Sequence, residues 1–167
     1  MPERLLHFDE IEIGNYWASS TRTITKSDVS RFAELTGDFD PLHMDHHFAA
    51  ETPFGRPIAH GLLGLSVMAG LSSRCPHVAT AAFVRMSDWH FVKPIFFGDT
   101  VYVTTEVLEK NIKGRRRGNI IWKRMLINQH GDVVQHGILE TIVNVSEQQC
   151  IKKLSTIDEL TCSDDQP

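Results

Sequence analysis

Hydrophobic residues recur at two different spacings along the chain, and the change of spacing divides it into a helical part and a strand-rich part. Before Pro76, apolar residues at helical spacing follow residues that cap helices, as between Thr25 and Gly37. After Pro76, apolar and polar residues alternate in runs that are separated by glycine turns, which is typical of strands. This order of elements predicts an α+β fold with an antiparallel sheet.

The first predicted helix has a clear start and a clear end. It follows a strand expected over Tyr16 to Ile24, which is rich in threonine, serine and aromatic residues. Thr25 is a candidate N-cap, and Asp28 stands three residues later, where the acid of a capping box is found. Gly37 ends the helix as the residue after its last turn. The apolar stripe of this helix consists of Val29, Phe32, Ala33 and Leu35. The segment from Asp38 to His43 is expected to be irregular because Pro41 interrupts it.

The second predicted helix, from His60 to Ser73, has apolar residues in nearly every direction: Leu62, Leu63, Leu65, Val67, Met68 and Leu71. We therefore expect it to be buried on all sides. Gly61, Gly64 and Gly70 lie among these residues although glycine destabilises a helix interior by about 0.5–1 kcal/mol relative to alanine. Close approach of another backbone, or space for a ligand, would explain their presence.

The strands predicted after Pro76 cover Ala79–Met86 continuing through Trp89–Val92, then Thr100–Leu108, Asn119–Asn128 and Val133–Val145. Gly98, Gly114 and Gly131 mark the turns between them. The pattern predicts one antiparallel sheet that wraps around one central, buried helix. The alternation stops near Ser146, so we expect a domain over residues 1–145 and a tail over residues 146–167.

Composition and charge exclude several classes of partner. The 167 residues carry a formal net charge of −4, so no overall positive field would attract nucleic acid or an anionic membrane. No apolar run approaches the roughly 20 residues that span a bilayer. The three cysteines, Cys75, Cys150 and Cys162, are widely spaced and odd in number, which favours free thiols. We therefore expect a cytoplasmic protein.

Two motifs stand close together in the middle of the chain. The first is Gly37-Asp38-Phe39-Asp40-Pro41-Leu42-His43, and the second is Pro57-Ile58-Ala59-His60-Gly61. With the later Trp89-x-Phe91 and Pro94-x-x-x-Gly98-Asp99, the chain from about Phe8 to Val145 resembles the MaoC-like dehydratases and the (R)-specific enoyl-CoA hydratases. That resemblance implies a single hot-dog domain. Asp40 departs from the family pattern, which commonly has asparagine at this position.

The resemblance also implies an activity and roles for individual residues. It implies the addition of water to an enoyl thioester, with an acyl-CoA or an acyl-carrier thioester as the substrate. Asp38 and His43 would activate the water and move the proton, and the Gly61 N–H would bind the thioester oxygen. Neither an organic cofactor nor a metal is expected. The candidate substrate-binding residues are Asp40, Pro41, Arg56, His60 and Leu62.

This chemistry also makes sense from the residues themselves. Hydration of a conjugated double bond needs a base for water, an acid for Cα and a donor for the charge on the thioester oxygen. Asp38 and His43 lie five residues apart on a bent segment, which could bring both to one water molecule. Gly61 begins a helix, where backbone N–H groups lack partners and favour negative charge.

Other interpretations of single features remain open. Asp38 alone could be a turn-forming acid. The cluster His43, Asp45, His46 and His47 resembles a metal site, but adjacent histidines point apart on a helix or a strand. The basic residues Lys113, Arg115, Arg116 and Arg117 could bind the phosphates of coenzyme A or form a solvated hairpin tip.

Two rival functions and one assembly state complete the expectations. A hot-dog thioesterase would hydrolyse the C–S bond, and a non-catalytic hot-dog protein would only bind an acyl ligand. The Gly-Asp-x-x-Pro-Leu-His segment argues against the thioesterase, and the presence of both Asp38 and His43 argues against the non-catalytic protein. A single sheet leaves an unpaired edge, so we expect a homodimer or a dimer of such dimers.

Overall fold

The computed structural model describes residues 4–147, and the predicted order of elements is confirmed there. Cys150, Cys162 and residues 148–167 of the predicted tail lie outside the described residues, so the predicted division at residue 145 stays a prediction. The helices are α1 Lys26–Thr36, α2 Pro41–Met44, α3 His46–Ala50 and α4 Gly61–Ser72. The strands are β1 Tyr16–Ala18, β2 Arg22–Thr23, β3 Thr80–Phe91, β4 Thr100–Lys113, β5 Arg117–Asn128 and β6 Val133–Asn144. A 3₁₀ turn over Phe8–Glu10 precedes them.

All six strands form one antiparallel sheet. The order across the sheet is β1-β4-β5-β6-β3, and β2 pairs with the beginning of β4. The hairpins β4–β5 and β5–β6 confirm the expected turns at Gly114 and Gly131. Strand β3 comes before these hairpins in the sequence but pairs with β6, which makes this long strand an edge of the sheet.

The hydrophobic core lies between the sheet and α4. Met68 of α4 is fully buried, as are Val103 on β4, Leu126 on β5 and Leu139 on β6. Trp122 is the largest fully buried side chain, and its indole Nε1 donates a hydrogen bond of 2.8 Å to Thr141 Oγ1. The predicted arrangement of one sheet around one central helix is thereby confirmed.

The prediction that α4 is buried on all sides is wrong for the single chain. Leu63, Val67 and Leu71 face the sheet, whereas the side chain of Leu62 is 58% exposed. The sheet of one chain covers only one side of the helix, and uniform hydrophobicity does not reveal which side that is. Within residues 4–147, no helix is both long and apolar enough to cross a membrane.

The segment before α1 also differs from the prediction. Instead of one strand over Tyr16 to Ile24, two short strands pair with β4 and are separated at Ser19. The Ser19 hydroxyl accepts a hydrogen bond from the Val103 N–H at 2.9 Å and donates one to the Ser20 carbonyl. A serine side chain therefore replaces part of the regular strand ladder.

Helix α1 has the predicted termini. Thr25 and Asp28 form the reciprocal capping box, and Gly37 has a left-handed backbone with a φ of 78°. Val29 and Ala33 are buried as expected, but Leu35 is exposed, so its place in the apolar stripe was wrong.

The first and last parts of the described chain are joined by a carboxylate. Asp9 accepts hydrogen bonds from the Ser146 N–H at 2.8 Å and from the Ser146 hydroxyl at 2.7 Å. Burial disfavours the charged form of Asp9, but these two hydrogen bonds outweigh it and lower the pKa of Asp9. The chain therefore enters and leaves the fold at the same place.

Candidate active site

The site is built on the segment between α1 and α4, and Asp40 organises its turn. The Asp40 carboxylate accepts a hydrogen bond from the Leu42 N–H at 2.8 Å and caps α2, in which Pro41 is the first residue. The expectation of an irregular segment up to His43 is therefore wrong from Pro41 onward, because proline is well tolerated at the first position of a helix. An asparagine oxygen could form the same cap, so the departure at Asp40 changes the charge and preserves the turn.

His43 is held in one orientation by a backbone carbonyl. Its Nδ1 lies 2.8 Å from the Ile58 carbonyl oxygen. Because a carbonyl can only accept, Nδ1 carries the proton of the neutral ring, and Nε2 has a free lone pair. His43 can therefore accept a proton at Nε2 while its ring stays fixed.

His60, from the second motif, forms a hydrogen bond to Asp38 in the first motif. It is only 2% exposed, and its Nε2 donates to the Asp38 carbonyl at 2.9 Å. Its ring centroid lies 3.9 Å from that of His43 and 5.1 Å from that of Phe32. His60 Nδ1 is buried without a hydrogen-bond partner among the described residues. In this arrangement His60 supports the backbone of Asp38 and the ring of His43.

The Asp38 carboxylate remains accessible. Its side chain is 52% exposed, and one carboxylate oxygen lies 3.9 Å from His60 Nε2. The other oxygen accepts the Asp40 N–H at 3.3 Å. One polar atom from each of Asp38, His43 and His60 lies within 4.8 Å of the others. The structure thus brings Asp38 and His43 together, and their predicted roles in proton transfer stay a prediction.

The group of Asp38, His43 and His60 differs from the candidate metal cluster that was considered from the sequence. Asp45 accepts hydrogen bonds from the N–H groups of Phe48 and His47, which lower the pKa of its carboxyl. Asp45 is therefore the N-cap of α3, and His46 and His47 lie in its first turn. Within the group of Asp38, His43 and His60, one nitrogen of each histidine ring is already bonded to a carbonyl.

A cleft of about 410 Å³ opens beside His43, and Gly61 lies at its wall. Gly61 is the first residue of α4, so its N–H has no acceptor within the helix. A side chain here would be obstructed, because an added Cβ would stand 2.8 Å from Phe91 Cε1. The missing side chain leaves this part of the cleft wall to the backbone of Gly61.

The remaining predicted residues lie around this centre. Asp40 and Pro41 form the turn, and the Arg56 guanidinium stacks over the ring of Phe96 at 4.0 Å. Leu62 follows Gly61, is largely exposed, and does not line the cleft. A contact of any of these residues with a substrate stays a prediction.

Gln135 was missed by the sequence interpretation. Its side-chain Nε2 donates to the Gly61 carbonyl at 2.9 Å, and its side chain lines the cleft. The signal was present, because Gln135 is a polar residue at an inward position of an alternating strand. Phe54 and Ile58 also line the cleft, and neither was among the candidate site residues from the sequence.

A sheet packed on one central helix defines a hot-dog domain, and a carboxylate and a histidine lie together near the N-terminus of that helix. The model of the MaoC-like domain family matches residues 12–125. The chain belongs to this family.

Individual proteins agree with this assignment. The chain is 40% identical to a 3-hydroxybutyryl-CoA dehydratase from Methylorubrum extorquens over 72% of this chain and 75% of that protein. It is similar to the unliganded structure of the R-hydratase PhaJ1 from Pseudomonas aeruginosa, with a TM-score of 0.70 and 29% identity over 84% of this chain and 86% of that one. A Mycobacterium tuberculosis protein with a double hot-dog fold has a TM-score of 0.76 at 21% identity, covering 86% of this chain and 45% of that one, and confirms the fold alone.

Proposed function

We propose that this protein is a hydro-lyase that adds water to the 2,3 double bond of an enoyl-CoA, or removes it from a 3-hydroxyacyl-CoA. The observation that carries the proposal is the approach of Asp38 and His43 to each other next to a cleft that His43 and Gly61 line. The similarity to a dehydratase and to an R-hydratase supports the same reaction class.

Each residue has a defined part in the proposed reaction. His43 Nε2 accepts a proton from water, whose oxygen attacks Cβ of the enoyl group. Negative charge then moves to the thioester oxygen, where the Gly61 N–H and the start of α4 stabilise it. A proton returns to Cα from the pair formed by Asp38 and His43. The thioester itself accepts the electron pair, so the proposed reaction uses no cofactor and no metal.

The proposal is tested with trans-2-enoyl-CoA esters of increasing chain length. We expect the absorbance of the conjugated double bond to fall and a 3-hydroxyacyl-CoA of the R configuration to form. A thiol reagent in parallel reactions detects free coenzyme A, which only a thioesterase would release. Thiol release without loss of conjugation would favour the thioesterase, and binding without either change would favour a non-catalytic acyl-binding protein.

We also propose that two copies pair through β3. This strand is an edge of 12 residues, and apolar side chains on it are exposed, with Phe83 59% exposed in the single chain. A long, apolar, unpaired edge promotes aggregation unless another strand covers it. A second copy in antiparallel orientation satisfies both edges at once through a two-fold axis.

We expect light scattering to give the mass of a dimer, or of a dimer of dimers, at micromolar concentration. Val84→Lys places a charge on the proposed interface and should shift the mass towards one chain. Ile112→Lys is the matched control, because Ile112 is also apolar and exposed but lies near the hairpin between β4 and β5. A stable monomer of the wild-type protein, or an equal effect of both variants, would contradict the pairing.

A further inference from the structure

An arginine on the central strand β5 faces the interior of the fold. Side chains alternate along a strand, so Arg124 points to the same side as its buried neighbours Trp122 and Leu126. Its guanidinium carbon lies 5.8 Å from the centroid of the Trp122 ring. The positive charge therefore lies on the helix-facing side of the sheet, where most side chains are apolar.

This charge has no counter-charge within the described part of the chain. Among residues 4–147, none forms an ion pair with Arg124, and Arg124 Nε is buried without a hydrogen bond. Burial lowers the pKa of the guanidinium to about 10, so Arg124 is still protonated at neutral pH. Arg22 provides a contrast, because it pairs with Asp28 at 2.8 Å. Arg124 is partly buried, and a partly buried cation without a counter-charge is destabilising, so its presence indicates that something else supplies the anion.

Two further polar groups on the same row of the sheet also lack partners. Thr105 of β4 and Gly137 of β6 are the direct neighbours of Arg124 across the strands. Thr105 Oγ1 is buried without a hydrogen bond. Trp89 lies against Gly137, where a side chain would overlap its ring, and Trp89 Nε1 is also buried without a partner. All three groups can donate hydrogen bonds, which matches a ligand that accepts several, such as a carboxylate.

The row of Arg124 lies next to the floor of the cleft. Leu126, Gln135 and Phe91 form the adjacent row, and the last two line the cleft. Rows on one face of a sheet are two residues apart, or about 7 Å. Arg124, Thr105 and Trp89 do not line the cleft itself, but a row spacing of about 7 Å is within the length of a few acyl carbons.

We propose that Arg124 binds a carboxylate at the far end of the acyl chain, so that the preferred substrate is the thioester of an unsaturated dicarboxylic acid. The inference rests on the proposed hydro-lyase function and adds the acyl class to it. Thr105 and Trp89 complete the binding group by donating to the same carboxylate. Arg124 is a specificity-determining residue, since it lies one row away from Gln135 and Phe91, which line the cleft, and acts on the part of the substrate that does not react.

The test compares acyl-CoA esters in matched pairs. The but-2-enedioyl, pent-2-enedioyl and hex-2-enedioyl esters are compared with the but-2-enoyl, pent-2-enoyl and hex-2-enoyl esters, which end in a methyl group. The wild-type protein should show a kcat/KM at least about tenfold higher for one of the diacid esters than for its neutral equivalent. Arg124→Gln should lower kcat/KM for the diacid ester by about 10–10²-fold and leave or improve that for the neutral ester.

Lys123→Gln is the matched control, because Lys123 is adjacent, exposed and on the opposite face of the sheet. It should leave the ratio between the two esters unchanged. Binding of saturated pentanedioyl-CoA and pentanoyl-CoA, measured by calorimetry, provides a readout that does not depend on turnover. Arg124→Gln should weaken only the diacid.

The outcomes separate this inference from the proposed function. Hydration of the neutral esters with no advantage for any diacid in the wild-type protein would overturn the role of Arg124 and leave the hydro-lyase function standing. An equal loss for both members of a pair in Arg124→Gln would show that Arg124 has a structural role, which also overturns the inference. Selective binding of the diacid without hydration of any ester would support the inference and contradict the hydro-lyase function.

Discussion

Asp38→Asn and His43→Gln should each lower kcat by about 10²-fold or more, with little change in folding. Asp38→Asn removes a proton carrier but keeps the shape of the side chain. His43→Gln removes the ring nitrogen Nε2, which is not bonded to the Ile58 carbonyl and is the proposed proton acceptor. Both side chains lie at the surface of the site, so neither change leaves a cavity in the core. The loss should therefore appear in the chemical step, with KM largely unchanged.

The measurement is steady-state hydration of the best enoyl-CoA ester, together with the thermal midpoint of each variant. Asp45→Asn and His47→Gln are matched controls, because they make the same chemical changes a few residues away and leave the centre intact. Asn can still cap α3 at position 45. Near-normal turnover in Asp38→Asn or in His43→Gln would remove that residue from the proposed mechanism.

Trp122→Ala should destabilise the fold by about 3–5 kcal/mol, the usual cost of deleting a large buried aromatic side chain. Trp122 is 1% exposed, contacts Trp17 with 6.4 Å between ring centroids, and bonds to Thr141. The change leaves a cavity in the centre of the sheet and an unpaired hydroxyl beside it. Trp122→Phe should cost less, because it keeps an aromatic ring and loses the N–H.

Urea unfolding followed by far-UV circular dichroism provides the measurement, at one fixed protein concentration because association contributes to apparent stability. Ile112→Ala is the control, since it removes an exposed apolar side chain and should change the free energy of unfolding by less than about 0.5 kcal/mol. A Trp122→Ala variant as stable as Ile112→Ala would contradict the prediction. It would show that neighbouring side chains move to fill the space left by the indole ring.

The parts of the fold that local chemistry determines were predictable. The capping box of Thr25 and Asp28, the stop at Gly37 and the alternation along β4 to β6 each depend on residues close in sequence. The parts that depend on distant contacts were not. The pairing of β3 with β6 and the exposed face of α4 are decided by which surfaces the rest of the chain covers.

The same distinction holds for the site. Asp38, His43 and Gly61 belong to short motifs, and in the structure Asp38 lies close to His43, while His43 and Gly61 line one cleft. Gln135 and Arg124 have no motif, and their significance lies in spatial relations. Gln135 matters through its bond to the Gly61 carbonyl, and Arg124 through the lack of a counter-charge and of an Nε hydrogen bond among the described residues. Neither relation can be inferred from spacing along the chain.

The hydrogen bonds between Asp9 and Ser146 have a consequence for the order of the strands along the chain. The two ends of the described fold meet at the Asp9 carboxylate. The same arrangement of strands could therefore be formed by a chain that begins at a different strand. A short linker could join the ends, and a new start could be opened at the exposed turn around Gly114 without separating any paired strands. Circular permutation is thus sterically available to this domain.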